Sequence, residues 1–372
     1  MTKDPGPNLC PTCPGEWHVG HRLIDSAFTS LRDIMPEHFD PILREALGTY
    51  DLALPVELFA LANQGATNAS VGIHSGAGTF IAKTYAAIHD RASIEYEHRL
   101  LAWLAEARLS FAVPMPVPAR DGALLVQGSR GSMAVMPWLP GERLDPCRLE
   151  HAELLGAAIG ELQATMQQYP AAPRPGNTLF GALFDFPRPA YDPFALTPAR
   201  LGLPATPVHD ELLGWWREDA ARLQTFVNGS YRALLWQVCH NDVAPANVLV
   251  DADRVSAVLD FEFATPAPRA LDIAMGLRMT MRVWENPEPW DVIHRFFAGY
   301  GQCQRMTKPE VAALPLLIRL RSAIPILWRL KKVTSPEHRI VVLRGIEYLR
   351  NLDNWLAANE HRFVEVVARI VL

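Results

Sequence analysis

Between Val238 and Ala264 the chain reads VCHNDVAPANVLVDADRVSAVLDFEFA, where acidic and amide side chains interrupt apolar runs. The order is His240, Asp242 and Asn247, followed by Asp260 and Glu262. Two carboxylates and an amide oxygen are hard donors that suit a cation such as Mg2+. A carboxylate beside a hydroxyl orients or deprotonates it. The plainer reading makes His240 a structural turn residue and the Asp and Asn side chains solvated turns.

Three short apolar runs must position these groups. LLWQVCH, NVLVD and VSAVLDF have strand length. HNDVAPAN is therefore a loop between strands and DADR a hairpin turn, so the loop and a strand end converge. The spacing H-x-D-x-x-x-x-N followed by D-F-x is that of the catalytic loop and metal-binding Asp of protein-kinase-like phosphotransferases. Such chemistry needs further parts upstream. Five strands and one helix are expected between Val56 and Met136, with VGIHSGAGTFIAKTY a hairpin turning at Ser75 to Gly78. FIAKTY supplies Lys83 for the α- and β-phosphates of ATP, although a lone strand Lys is more often an edge or snorkelling residue. The helix RASIEYEHRLLAWLAEARL offers Glu97 to pair with that Lys, with Glu95 as the substitute. NQGATNAS places Gly65, Ala66, Thr67 and Asn68 where small residues let backbone N–H groups approach phosphate. AVMPWLPGE offers the backbone of Met136 to Trp138 to an adenine ring. Asp272, on PRALDIAMGL, either contacts substrate or caps the helix and braces the catalytic loop.

With these residues in place the chain resembles the aminoglycoside phosphotransferase and choline kinase superfamily, and within it the bacterial homoserine kinase-like group. QGATNAS, FIAKTY, EHRLLAWLAE, MPWLPGE, CHNDVAPANVLV, VLDFEFA, RALDIA, FFAGY and LPLLIRLRSA carry the resemblance, from about Ile42 to the C-terminal helices. It implies an α+β, protein-kinase-like fold of two lobes: a small antiparallel sheet with one helix, then a large, mainly helical lobe. It also implies ATP and Mg2+ as cofactors and a small-molecule hydroxyl as acceptor. Asp242 would act on that hydroxyl, Asn247 and Asp260 would hold Mg2+, and Lys83 with Glu97 would hold the ATP phosphates. The chain departs from the pattern at two places. Gln163 stands where a His is usual, and LRMTMRVW puts Arg278 where homoserine kinases tend to carry an Asn-containing segment.

The implied organisation is a Pro-rich extension over 1–22, N-terminal helices and a β-rich nucleotide-binding lobe over 23–137, and a helical catalytic and substrate lobe over 138–372. About half of the 372 residues are apolar and the formal charge is −5, against the basic excess of nucleic-acid binders. The N-terminus has no apolar signal-peptide core. Apolar runs such as ALPLLI are shorter than a membrane span, so a cytoplasmic protein without a membrane partner is expected. The cysteines Cys10, Cys13, Cys147, Cys239 and Cys303 are sparse and odd in number, which fits a reducing compartment. Cys10, Cys13, His18 and His21 invite a zinc reading. Their short spacer and the surrounding prolines favour a flexible tail. The sequence assigns no oligomeric state.

Three functional readings compete. A small-molecule kinase requires Lys83, Glu97, Asp242, Asn247 and Asp260, and all are present. A nucleotide-binding pseudokinase would have lost one of them. A protein kinase needs an A-P-E-bearing segment after D-F-G, whereas about a dozen residues separate Asp260 from Asp272 and none reads A-P-E. For the acceptor, a zwitterion would call for Arg at its carboxylate. Arg269, Arg278, Arg282, Arg319 and Arg321 favour homoserine or a similar amino alcohol over an aminoglycoside or choline-like molecule, with Arg278, Arg319 and Asp272 as candidate contacts.

Overall fold

The structure, a computed structural model, describes residues 43, 46–61, 68–85, 90–128, 131–170, 174–175, 192–330 and 336–372. The 1–22 extension with Cys10, Cys13, His18 and His21, most of the expected helical segment before residue 47, and Gly65, Ala66 and Thr67 lie outside the described residues.

The chain divides into two compact units. The first comprises Met1–His89 and Pro116–Trp138. Its sheet has five antiparallel strands, β1 (Val56–Phe59), β2 (Ala69–Ser75), β3 (Gly78–Thr84), β4 (Val126–Gly128) and β5 (Gly131–Pro137), in the order β1-β2-β3-β5-β4. Ser75 pairs with Gly78, and Gly78 takes φ +131°, a conformation that glycine allows at the hairpin turn. Successive strand side chains alternate between faces. Ala82 thus joins Val71, Ile73, Met133 and Val135 in the core, and Lys83 projects from the other face of β3.

The second unit comprises Asp90–Met115 and Leu139–Leu372. It opens with α1 (Arg91–Glu106), capped by Asp90, whose carboxylate accepts from Ser93 N–H. The expected boundary placed this helix with the small lobe. Its apolar stripe, Leu100, Leu101 and Leu104, instead belongs to the core of the second unit, and the helix packs on the Phe261–Phe263 turn. The unit continues with β6 (Glu142–Arg143), α2 (Leu149–Met166), α3 (Pro207–Asn228), β7 (Trp236–Cys239), β8 (Val248–Asp251), β9 (Arg254–Val258) and β10 (Thr265–Pro268). Four helices follow, α4 (Ala270–Met281), α5 (Trp290–Cys303), α6 (Lys308–Leu330) and α7 (Pro336–Val371). Strands β6, β8 and β9 form one antiparallel sheet and β7 pairs with β10.

Helices α2 and α5 meet backbone to backbone. A Cβ added to Gly156 would lie 1.9 Å from Phe296 O, and one added to Gly299 would lie 2.0 Å from Glu153 O. Helix α6 is long and apolar enough, by length and composition, to match a membrane span. Within this unit it is a core helix, and its charged Arg319 and Arg321 face carboxylates.

Candidate active site

The loop after β7 and the β8–β9 hairpin assemble the site from residues of the second unit. The N–H of Leu259 donates to Asn247 O at 2.8 Å, which brings the next residue, Asp260, alongside Asn247. The Asn247 Nδ2 donates to Asp242 O at 2.8 Å and to Asp242 Oδ2 at 3.0 Å. With its amide nitrogen so engaged, Asn247 keeps Oδ1 as its acceptor end. Asp260 adopts φ 65°, ψ 66°, a left-handed conformation more accessible to Asp and Asn than to most side chains.

The loop is pinned from three sides. Asp272, at the start of α4, accepts from His240 N–H at 2.9 Å and from Asn241 N–H at 2.7 Å. Both carboxylate oxygens are therefore spent on the loop backbone, and of the two expected roles the hydrogen bonds favour the brace. Burial pushes the Asp272 carboxyl up to about 6, and the two N–H donors oppose that rise. Asn241, at φ 64°, donates from Nδ2 to the carbonyls of Cys239, Phe263 and Thr265. His240 accepts from Asp242 N–H at Nδ1 and so donates from Nε2 to Leu259 O at 2.9 Å. Burial lowers its pKa to about 4, so the ring is a neutral strut.

Asp272→Asn sets an amide N–H2 against one of these two N–H groups. The expected loss is about 1–3 kcal/mol, the cost of a buried donor left without its acceptor. It is read from the midpoint of urea unfolding, with a fall in turnover as the loop loosens. An unchanged midpoint would show that the brace adds nothing.

Asp242 itself is shaped by three charges. Burial raises its pKa to about 7, Arg321 lowers it and Asp260 raises it. The side chain keeps 28% of its surface, so solvent offsets part of the rise. Arg321 Nη2 on α6 lies 3.5 Å from Asp242 Oδ1. Sequence reasoning favoured Arg319 on this helix, and the structure corrects that choice. Residues two apart on an α-helix are rotated by roughly 200°. Arg319 therefore faces away and pairs with Asp353 on α7, in a network with Arg222 and Asp219. Arg278 does enter the neighbourhood: its charge also lowers the Asp242 pKa.

The upstream residues fall in both units. In the first, Lys83 Nζ lies 5.0 Å from the centre of the Tyr85 ring. Asn68 is buried next to β2. Met136 is buried opposite Ile81, while Trp138 is half exposed and its N–H already donates to Thr79 O at 3.0 Å. In the second, Glu97 is buried with Arg174 Nη2 3.9 Å from its carboxylate. Glu95 is a surface residue bonded to Arg91. Arg174 was missed because it sits in a Pro-rich connector without periodicity. It donates to Ser93 Oγ at 2.8 Å and reaches the carbonyls of Phe261 and Ala264, tying α1 to the D-F-E turn. Gln163, in the usual His place, donates to Arg269 O and accepts from Tyr300 Oη.

Among the described residues no three His, Cys, Asp or Glu side chains form a self-sufficient metal cage. Mg2+ does not require one, since it binds through one or two carboxylates with water and substrate phosphates completing the shell. The amide oxygen of Asn247, left as its acceptor end, with the carboxylates of Asp260 and Asp242 fits that donor set.

The model of the phosphotransferase enzyme family matches residues 59–314. The homoserine kinase of Methylorubrum populi is 28% identical over 281 residues, covering 75% of this chain and 82% of that protein. The homoserine kinase of Sinorhizobium fredii is 28% identical over 311 residues, covering 82% and 89%. Among solved structures, a microcompartment-associated aminopropanol kinase aligns with a TM-score of 0.60 at 20% identity, covering 88% of this chain and 98% of that one. An aminoglycoside phosphotransferase from Alicyclobacillus acidocaldarius aligns with a TM-score of 0.59 at 19% identity, covering 87% and 96%.

Proposed function

The chain belongs to the phosphotransferase enzyme family, and from that premise we propose that it moves the γ-phosphoryl group of ATP to a hydroxyl of homoserine or a similar amino alcohol. The observation that carries this reading is the joint placement of Asp242, Asn247 and Asp260 by the Asn247 side chain and the Leu259–Asn247 backbone bond. Amino-alcohol acceptors are named in the homoserine kinase relatives and in the aminopropanol kinase.

Asp242 orients the acceptor hydroxyl and takes its proton as the O–P bond forms. A base whose pKa is raised toward neutrality is suited to that transfer. Asn247 and Asp260 would hold Mg2+, which supplies charge neutralisation on the phosphate oxygens when bound. Lys83 is the proposed phosphate-binding Lys of the first unit. The stretch after Asp260 runs through the Phe261–Phe263 turn and β10 straight into α4. That path favours a small acceptor over a peptide.

Purified protein with ATP and Mg2+ is expected to release ADP only when an amino alcohol is added, and to stop on EDTA. ADP release that ignores the acceptor, or none across amino alcohols, aminoglycosides, choline, sugars and nucleosides, would overturn the proposal.

A further inference from the structure

We propose that Arg278, Arg329 and Tyr348 form an oxyanion site on α4, α6 and α7 that takes a doubly charged phosphate group, with residues other than those proposed for ATP. Arg278 is the common neighbour of the other two. Its Nε donates to Ser322 Oγ at 3.1 Å, and its Nη1 lies 3.7 Å from Met275 Sδ. The Ser322 hydroxyl in turn donates to Ile318 O at 2.9 Å. These contacts seat the guanidinium between α4 and α6 without supplying an anion. Arg329 stands seven residues beyond Ser322 on α6. Seven residues turn a helix by roughly 700°, so both side chains leave from one face. A helical side chain leans toward the N-terminus of its helix, which carries Arg329 back toward Arg278. Tyr348 enters from α7. Its ring is held edge-on to Trp284, with centroids 4.6 Å apart, and its hydroxyl oxygen is buried without a hydrogen-bond partner. Burial raises the Tyr348 pKa to about 12 and the adjacent Arg278 opposes that rise, so the hydroxyl stays protonated. A guanidinium only donates, and the phenolic hydrogen is left without an acceptor.

The charges around this cluster do not balance. Burial and then the charge of Arg278 push the Arg329 pKa down, and no carboxylate among the described residues opposes them. Arg269, at the start of α4, and Arg319, on α6, are answered by Glu310 and Asp353. Glu285, just past α4, is taken by Arg282. Asp242 feels the charge of Arg278, but its ion-pair contact is with Arg321. Holding two guanidinium groups close and partly out of water costs free energy unless an anion answers them. A buried hydroxyl without an acceptor adds to that cost. One ligand relieves both. A phosphate dianion brings two charges for two guanidinium groups and terminal oxygens enough for three sets of donors. A carboxylate would leave one cation unanswered.

Calorimetric titration of the full-length protein without nucleotide tests the site, with sulfate and orthophosphate as dianion probes and acetate as the monoanion. Sulfate is expected to bind about tenfold or more tightly than acetate, since two charges meet two. Arg329→Gln is expected to weaken sulfate by about 10- to 100-fold, the range of a hydrogen bond to a charged group. Tyr348→Phe is expected to weaken it by about tenfold, while the anion-free protein melts at or above the wild-type temperature, because the deleted hydroxyl had no acceptor. No sulfate binding, or no preference over acetate, overturns the site. Binding that survives both variants but is lost in Lys83→Met overturns it too, since the anion would then sit with the groups proposed for ATP. A lower anion-free melting temperature in Tyr348→Phe would show a hydroxyl already bonded, and would also overturn it. O-phosphoethanolamine assigns the source of the phosphate. Binding as tight as orthophosphate, with the same loss in Arg329→Gln, supports a phosphate monoester, and its exclusion supports free orthophosphate. Because no ATP is present, absent ADP release would sink the kinase reading and leave this site standing.

Discussion

Asp242→Asn is expected to lower kcat by about 10²–10⁴-fold, the usual contribution of a positioned proton acceptor. The substitution keeps the shape of the side chain and leaves one oxygen for the Nδ2 of Asn247. It removes the basic site and the negative charge that faces Arg321. Asp242 is partly solvated, so the stability cost of that lost charge is modest compared with breaking a fully buried pair. The fold therefore survives, and KM for ATP stays near its wild-type value because the altered group faces the acceptor. Steady-state ADP release with saturating acceptor measures it. A variant with wild-type turnover would remove Asp242 from the chemistry and favour a nucleotide-binding protein without transferase activity.

Gly299→Ala carries the largest expected loss of stability. On helix propensity alone the change would stabilise α5 by about 1 kcal/mol. The new methyl, however, would stand 2.0 Å from Glu153 O and 3.0 Å from Ala157 N, both backbone atoms of α2. Backbone cannot rotate aside as a side chain does, so the two helices must separate. Gly156 meets Phe296 O in the same way from the opposite helix, and Gly160 lies close to Tyr300 O. Overpacking of this kind costs about 3 kcal/mol or more, a fall in Tm of roughly 6–12 °C for a domain of this size. Separation would also disturb the bond between Tyr300 Oη and Gln163, whose amide holds Arg269 O just ahead of the loop brace. A thermal melt decides the matter, and a Tm equal to or above wild type would show that the helices do not touch as described.

Much of this site was legible in the sequence because its parts are local. A loop of fixed spacing followed by one hairpin leaves little freedom, so the neighbours Asp242, Asn247 and Asp260 follow from strand and turn chemistry. The five strands between Val56 and Met136 followed from the same signals. Features set by packing were less accessible. Helix α6 is buried on nearly every side, so its apolar pattern gave no preferred face and no ground for choosing Arg321 over Arg319. The α1 stripe was visible, but a stripe does not say which core receives it. GAAIG and AGYG were in plain view, yet only the backbone contact between α2 and α5 shows why small residues recur there. Arg174 carried no signal at all, since its partners lie on segments distant in the sequence.

Asp260 imposes a narrow evolutionary gate. Its left-handed backbone admits Gly, Asn and Asp at low cost and burdens most other residues. At position 260 the proposed metal role calls for the full negative charge that the Asn247 amide does not supply, and the longer Glu would bring a backbone penalty with it. The two filters overlap at one amino acid. A descendant that abandoned catalysis while keeping this fold would therefore be expected to drift first to Asn or Gly at position 260. Either residue there would be the sequence record of a lineage that retained the scaffold and lost the reaction.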